Sequence, residues 1–414
     1  MPILKLHLEN IGPFDNLELD LTDGKGKAHL GPHILAGVNG SGKTTVLRAI
    51  AWHLSRKGSG FDEELWAEFL GRRENCASKL IVGRSIAAGL TQGLFAGSPI
   101  DHHLNPELID RDLGPVAAYA PRPVLRKIPQ PPTGYQSGPR PNWLSFEQSV
   151  SNENVQGFWI HSFLREAVLK NGDRSLAGVN ALRRVISETL GSQFKPEISV
   201  QESFAQPIVR FRDIELNFSQ LAAGFSATLG WVVDFLLRRE AFPWTGSQSA
   251  AEGPGLILID EIETHLHPQW QRRILNGIRA AFPNTQIIVT THSPFVVSSC
   301  PEARVHVLKL DVQGKAHLAE PIDHPEGASV ATTIRSVFDI ASQYGPEIEG
   351  MLREWNELKK RDHVGRLTTK EKAVLKTRTK ELAKRGEELA LLVHEPVLSD
   401  PLIEELIGAI SKRR

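Results

Sequence analysis

Cysteine is scarce: Cys76 and Cys300 are the two in 414 residues. They are too few for a disulfide framework or a four-thiolate zinc site, which suits a reducing compartment. No run approaches the roughly 18 apolar residues of a membrane span. The opening Met1-Pro2-Ile3-Leu4-Lys5 has no basic stretch followed by an apolar one, so no secretory leader is expected. Neither charge sign is in excess: 48 Lys and Arg balance 48 Asp and Glu. The global charge therefore selects no polyanionic partner. There is no internal repeat, and no segment sustains heptads long enough for a coiled-coil arm. The expectation is a cytoplasmic chain without membrane contact, 41% hydrophobic and long enough for one large domain and a smaller one.

Residues 3–8 alternate around Leu4, Leu6 and Leu8, and residues 17–21 around Leu17, Leu19 and Leu21. Both patterns predict half-buried strands, with Gly12-Pro13 as a turn between them. Ile34-Leu35-Ala36 predicts a short strand, and Val46, Leu47, Ile50, Ala51 and Leu54 then fall at helical spacing. Residues 56–145 are rich in glycine and proline, with seven prolines from Pro121 to Pro141. They read as a loop-rich insertion holding one short strand at Val116–Tyr119. Residues 157–190 read as helical, 197–218 as three alternating stretches, and Ala223 to Arg239 as a helix. Gly255-Leu256-Ile257-Leu258-Ile259 is a continuous apolar run that ends in Asp260, the mark of a strand buried on both faces. A helix is expected from Pro268 to about Phe282-Pro283. Ile287-Ile288-Val289 predicts another buried strand, and beyond about 325 the chain reads as helices.

Three motifs carry chemistry. Gly37-Val38-Asn39-Gly40-Ser41-Gly42-Lys43-Thr44 matches G-x-x-x-x-G-K-[ST], and Thr45 follows it. Glycines let backbone N–H groups turn inward around phosphates, a lysine can reach the β- and γ-phosphates, and the hydroxyl after it can ligate Mg²⁺. The following helix points its positive end at the same place. The pattern alone arises by chance in on the order of one chain in a hundred of this length. Its place between a predicted strand and a predicted helix makes an ordinary glycine turn the weaker reading. In the second motif, Asp260 ends an apolar strand and suits Mg²⁺, and Glu261 could polarise an attacking water. Taken alone, this segment reads better as an ordinary strand end capped by acids; paired with the glycine loop far upstream, it favours the Mg²⁺ and water roles. In the third, His292 follows a buried strand and could hydrogen-bond a γ-phosphate, or be satisfied by local backbone.

Glycine loop, Asp-Glu strand and histidine strand occur here in the order of ABC ATPases. Within that class the chain resembles the RecF/SMC-like branch, whose opening strand and turn are similar to Leu8-Glu9-Asn10-Ile11-Gly12-Pro13-Phe14. Glu261-Ile262-Glu263-Thr264-His265-Leu266-His267-Pro268 resembles a form common in short bacterial defence ATPases. These include the Septu (PtuA-like) and retron-associated ATPases and OLD-family heads. The resemblance spans about 1–310. It implies an α/β P-loop head with a mixed sheet and a helical lobe, binding ATP and Mg²⁺. ATP would be held by Gly37, Asn39, Gly40, Ser41, Gly42, Lys43, Thr44 and Thr45, and Mg²⁺ by Thr44 and Asp260. Glu261 and His292 would be catalytic.

The resemblance also implies a signature loop, matched by Leu221-Ala222-Ala223-Gly224, that closes over ATP held by a second head. The family's serine is Ala222 here, which implies slow hydrolysis; losing a charge-assisted bond costs about 1.5–3 kcal/mol. No family Q-loop glutamine is evident after Tyr119, where Ala120-Pro121-Arg122-Pro123 stands. His265 and His267 read as subunit-contact residues in preference to a metal site, and His102-His103 as solvated.

The expected organisation is an ATPase head over 1–320, with the insertion at 56–145 and a helical lobe with signature loop at 146–240, then a helical extension over 321–414. No nuclease-like acidic cluster follows 325. The implied biology is a homodimer or higher oligomer of heads that gates or scaffolds a separate, nuclease-like effector in anti-phage defence. The alternative is a DNA repair or recombination ATPase acting directly on DNA. A transporter subunit and a non-hydrolysing scaffold are further readings. Between Leu352 and Arg385 stand 12 Lys or Arg and 5 Asp or Glu. That stretch is either a solvated hairpin or a surface for nucleic acid or an acidic partner.

Overall fold

The computed structural model describes residues 2–29, 31–54, 77–83, 92–97, 116–119, 152–168, 177–201, 204–217, 220–221, 223–241, 253–319, 330–338 and 344–394. They divide into two compact units, Met1–Asp339 and Ile340–Arg414.

The first unit is built on a ten-stranded sheet. In chain order its elements are β1 (Ile3–Ile11), β2 (Phe14–Asp20), β3 (His33–Gly37), α1 (Lys43–Leu54), β4 (Ala77–Gly83), β5 (Gln92–Gly97) and β6 (Val116–Tyr119). Helices α2 (Asn152–Val168) and α3 (Ala177–Leu190) precede a separate antiparallel sheet of β7 (Phe194–Gln201), β8 (Phe204–Phe211) and β9 (Ile214–Asn217). Then come α4 (Ala223–Ala241), β10 (Gly255–Ile259), α5 (Pro268–Gln271), α6 (Ile274–Ala281), β11 (Thr285–Thr291), α7 (Pro294–Val297), β12 (Arg304–Leu310), β13 (Ala316–Leu318) and α8 (Val330–Phe338).

Strands β12, β3, β11, β10 and β6 pair in parallel in that order. An antiparallel wing of β13, β2, β1, β4 and β5 continues from β12, with β13 parallel to β2. Period-two geometry divides the unbroken apolar strands between two cores. Ile257, Ile259, Ile287 and Val289 face the core shared with α2, α3, α4 and α6. Leu256, Leu258 and Ile288 face the core shared with α1, β1 and β2.

Several expectations change. The stretch expected to hold one strand also contains β4 and β5, which extend the sheet by pairing β4 with β1. The helical stretch 157–190 contains two helices. The single helix expected from Pro268 is broken at Arg272-Arg273: α5 has no buried residue, whereas Ile274, Leu275 and Ile278 of α6 are buried. The two pieces therefore have different faces to satisfy. Strands β12 and β13, a hairpin that follows the predicted strands, add to the expected sheet. Helix α8 lies in the first compact unit.

The second unit contains α9 (Pro346–His363), α10 (Thr369–Lys384) and α11 (Glu387–His394). Met351, Leu352, Trp355, Leu375, Leu382, Leu389 and Val393 form its core. Thr368 and Glu371 make a reciprocal capping box that starts α10. Trp355 Nε1 donates to Thr379 Oγ1 at 2.9 Å across the seam between α9 and α10.

Among the described residues, no helix is long and apolar enough to cross a membrane.

Candidate functional site

Parallel pairing brings the C-terminal ends of β3, β10 and β11 to one edge of the sheet. The loop after β3 needs glycine for two reasons. Gly37, Gly40 and Gly42 have φ of 149°, 80° and 88°, values that side chains disfavour. A Cβ at Gly37 would also overlap the Leu308 carbonyl oxygen, and one at Gly42 would overlap the Phe14 ring. The turn between β1 and β2 thus packs directly under the loop. Asn39 and Gly40 are exposed at its tip, and Thr45 is buried beneath it.

Lys43 folds into this loop. Its Nζ donates to the carbonyl oxygens of Gly37 at 3.0 Å and Val38 at 2.9 Å. Burial lowers its pKa to about 8, against the opposing pull of Asp260, Glu263 and Glu261. Ser41 Oγ is buried and has no hydrogen-bond partner. A lone buried hydroxyl beside an inward-turned lysine fits a phosphate oxygen acceptor.

Asp260 stands one residue past β10. Thr44 Oγ1 lies 3.0 and 2.9 Å from its two carboxylate oxygens, and Thr290 Oγ1 donates to Oδ1 at 2.6 Å. Thr290 Oγ1 in turn accepts from the Glu261 N–H at 2.7 Å. Burial raises the Asp260 pKa; the threonine bonds oppose the rise and the neighbouring Glu261 adds to it. A buried carboxylate beside a second carboxylate, with a hydroxyl on it, is a donor set that suits a hard divalent cation. Thr44 and Asp260 meet although 216 residues separate them.

Glu261 has φ of 47°, in the left-handed region, and accepts from Thr264 Oγ1 at 3.2 Å. His292 stands just past the end of β11, half-buried. Burial and the nearby Lys43 charge lower its pKa, so the ring is neutral at pH 7.

Glu263 has a role that the sequence reading did not assign. It accepts from Thr291 Oγ1 at 2.7 Å and from the His292 N–H at 2.5 Å. The turn that carries Glu261 is thereby bolted to the segment that carries His292. Tyr119 is a second such residue. Its carbonyl accepts from the Asp260 N–H at 2.9 Å, and its hydroxyl donates to Asp234 of α4 at 2.8 Å. Arg238 Nε reaches the same Asp234 oxygen at 2.6 Å, and both of these α4 side chains are buried. The signals were weak: a carboxylate two residues past Glu261, and a lone tyrosine ending an apolar strand.

Leu221 is half-buried and Ala223 begins α4, while Ala222 lies outside the described residues, as do Ala120, Cys76 and His102-His103. Gly224 is packed against its own chain: a Cβ there would overlap the His265 carbonyl. His265 has φ of 62°, and His267 caps α5 by accepting from the Gln269 N–H at 3.3 Å. Among the described residues, no group of three or more His, Cys, Asp or Glu side chains is placed to hold a metal.

A family model described as "AAA domain, putative AbiEii toxin, Type IV TA system" matches residues 195–298, and one described as "AAA domain" matches 5–78. The chain is 25% identical over 329 residues to the Septu protein PtuA of Bacillus thuringiensis, covering 77% of this chain and 78% of that one. It is 31% identical over 160 residues to "Retron Vc95 probable ATPase" of Vibrio cholerae serotype O1 biovar El Tor, covering 38% of this chain and 30% of that one. The match therefore spans under a third of that retron protein's length. Among solved structures, the SMC head domain from Thermotoga maritima aligns with a TM-score of 0.42 at 14% identity, over 78% of this chain and 99% of that one. The relatives agree with the resemblance drawn from the motifs: the chain is similar to Septu and retron ATPases.

Proposed function

We propose that this chain binds and hydrolyses ATP as an ABC-class, SMC-like head, and that its nucleotide state gates or scaffolds a separate effector in bacterial defence. The meeting of Thr44 with Asp260 beside the inward-turned Lys43 is the observation that carries the reading. The loop from Gly37 to Thr45 cradles the phosphates. Lys43 supplies a point charge, and Ser41 Oγ a free hydroxyl. Thr44 and Asp260 would hold Mg²⁺, which when bound neutralises charge on the phosphates.

Glu261 orients the attacking water and accepts its proton. The neutral His292 donates a hydrogen bond to the γ-phosphate. The Glu263 bridge keeps these two groups at a fixed spacing. By the resemblance, the segment of Leu221, Ala222, Ala223 and Gly224 would meet a second head, and Ala222 in place of the family's serine would slow turnover. Similarity to the Septu and retron proteins supports the effector-gating role.

Glu261→Gln tests the reading. It keeps the size of the side chain but cannot take a proton, so ATP binding persists and steady-state hydrolysis falls at least about a hundredfold. Sedimentation with ATP should show a stable head-to-head assembly in this variant. Hydrolysis at the wild-type rate would exclude Glu261 as the base.

A further inference from the structure

The helical extension concentrates charge. Its window from Leu352 to Arg385 has an excess of seven positive charges in a chain of net zero. Helices α9 and α10 sort those charges onto two flanks. Along one flank of their seam, arginines face carboxylates: Arg385 with Glu347 at 2.7 Å, Arg378 with Glu354 at 2.9 Å, and Arg361 with Glu371 at 2.6 Å.

The other flank of α10 is lysine. Lys372, Lys376 and Lys380 recur every four residues, which puts them on one face. At about 100° per residue they lie on one side of the buried Leu375, and Glu371, Arg378 and Arg385 lie on the other. All three lysines are exposed, and among the described residues none is in an ion pair. Lys359 of α9 stands on the same side, its Nζ 5.7 Å from the centre of the Trp355 ring.

We propose that this lysine flank is a sequence-independent contact for the phosphate backbone of a nucleic acid. Three cations spaced over about 12 Å of helix match a polyanion with closely spaced charges. Lysine is a point charge without a fixed fork, suited to phosphates and not to reading base edges. Neither aromatic residue described in this unit is exposed: Trp355 is buried and Tyr344 is partly buried, so base stacking is not part of the contact. A protein interface core is depleted in lysine and built on apolar anchors. The exposed large apolar residue of α10, Val374, projects on the opposite side from the lysines, and the exposed apolar residue beside them is the small Ala373. The inference is independent of the nucleotide site.

The test is fluorescence anisotropy of the full chain with a random-sequence 30-base-pair DNA duplex and a 30-nucleotide single-stranded RNA, from 50 to 200 mM KCl. The wild type should bind at least one of them, more weakly as salt rises. Lys372→Glu/Lys376→Glu/Lys380→Glu should weaken binding at least tenfold and flatten the log K against log salt slope on the duplex by about 2–3. The milder Lys372→Gln/Lys376→Gln/Lys380→Gln should fall between the two. A control of equal charge change, Lys25→Glu/Lys27→Glu/Lys370→Glu, should bind within twofold of wild type. The inference is overturned if the wild type binds neither probe at 50 mM KCl, if the control loses as much as the lysine triple, or if the triple loses nothing. It is also overturned if polyglutamate competes as well as the nucleic acid at equal charge, which would make the flank a contact for acidic protein.

Discussion

Thr44 Oγ1 sits 3.0 and 2.9 Å from the two carboxylate oxygens of Asp260. Thr44 lies in the first turn of α1 and Asp260 one residue past β10, and β11 lies between β3 and β10 in the sheet. This contact turns two remote motifs into one site, and it can be broken from either side. Thr44→Val should leave nucleotide affinity without Mg²⁺ within about twofold and remove most of the gain that Mg²⁺ brings. Asp260→Asn should do the same. Titration of a fluorescent ATP analogue with and without Mg²⁺ decides it; an undiminished Mg²⁺ effect in both variants would place the cation elsewhere.

Lys43 makes ATP affinity depend on pH. Its pKa is lowered to about 8, chiefly by burial, so the apo side chain loses its charge as pH rises through 8. Phosphates favour the charged form, so binding there must take up a proton. Affinity should be flat from pH 6.5 to 7.5 and fall severalfold by pH 9. Calorimetry at pH 8 in two buffers of different ionisation enthalpy should register the proton uptake. A flat affinity to pH 9 would count against this description of Lys43.

Gly224 has no room for a side chain, because a Cβ would overlap the carbonyl of His265. Gly224→Ala should cost about 1–3 kcal/mol of stability. It should also displace the turn that carries Glu261, lowering hydrolysis more than ATP binding. Thermal melts and single-turnover hydrolysis read the two effects. A variant with the wild-type melting temperature would show that the two segments part without cost.

At the far end of β3 from the loop, His33 Nε2 donates to the His29 carbonyl at 3.1 Å, and His33 Nδ1 lies 3.1 Å from His306 Nε2. Burial pushes His33 well down and His306 to about 4. A lowered histidine pKa means the unfolded chain binds more protons, so this stability is lost as pH falls below about 6.5. For His306 alone the loss should be about 2 kcal/mol between pH 7 and 4.5, and His33 adds to it in the same direction. Urea midpoints across that range check it, and His33→Asn/His306→Gln should flatten the profile.

What the sequence disclosed followed burial. Strands β10 and β11 are covered on both faces, so they stand out as apolar runs, and the residues just past them, Asp260 and His292, could be placed without a structure. The glycine loop was legible because its backbone geometry excludes other residues at Gly37 and Gly42. The short alternation of β4 was not, because its meaning depends on pairing with β1, some seventy residues upstream. In the sequence Glu263 is only one member of a motif. A buried carboxylate in a turn looks like a solvated one until Thr291 and the His292 N–H, from another segment, are seen to enclose it. The break at Arg272-Arg273 reflects which side of each helix is covered, a property of the neighbours and not of the local pattern.

The position of β3 between β11 and β12 also bears on synthesis. The strand that ends in the phosphate loop emerges from the ribosome early, but both of its hydrogen-bonding neighbours are encoded about 250 residues later. At translation rates of about 5–20 residues per second, Ile34, Leu35 and Ala36 wait roughly ten to fifty seconds for their partners. During that interval the hairpin of β1 and β2 and the helix α1 can begin to cover Leu35, but Ile34 and Ala36 face the other core, and β3 has no partner on either edge. An unpaired apolar strand edge is an aggregation hazard, so β3 carries that hazard until β11 and β12 are made, long before there is any nucleotide site to occupy.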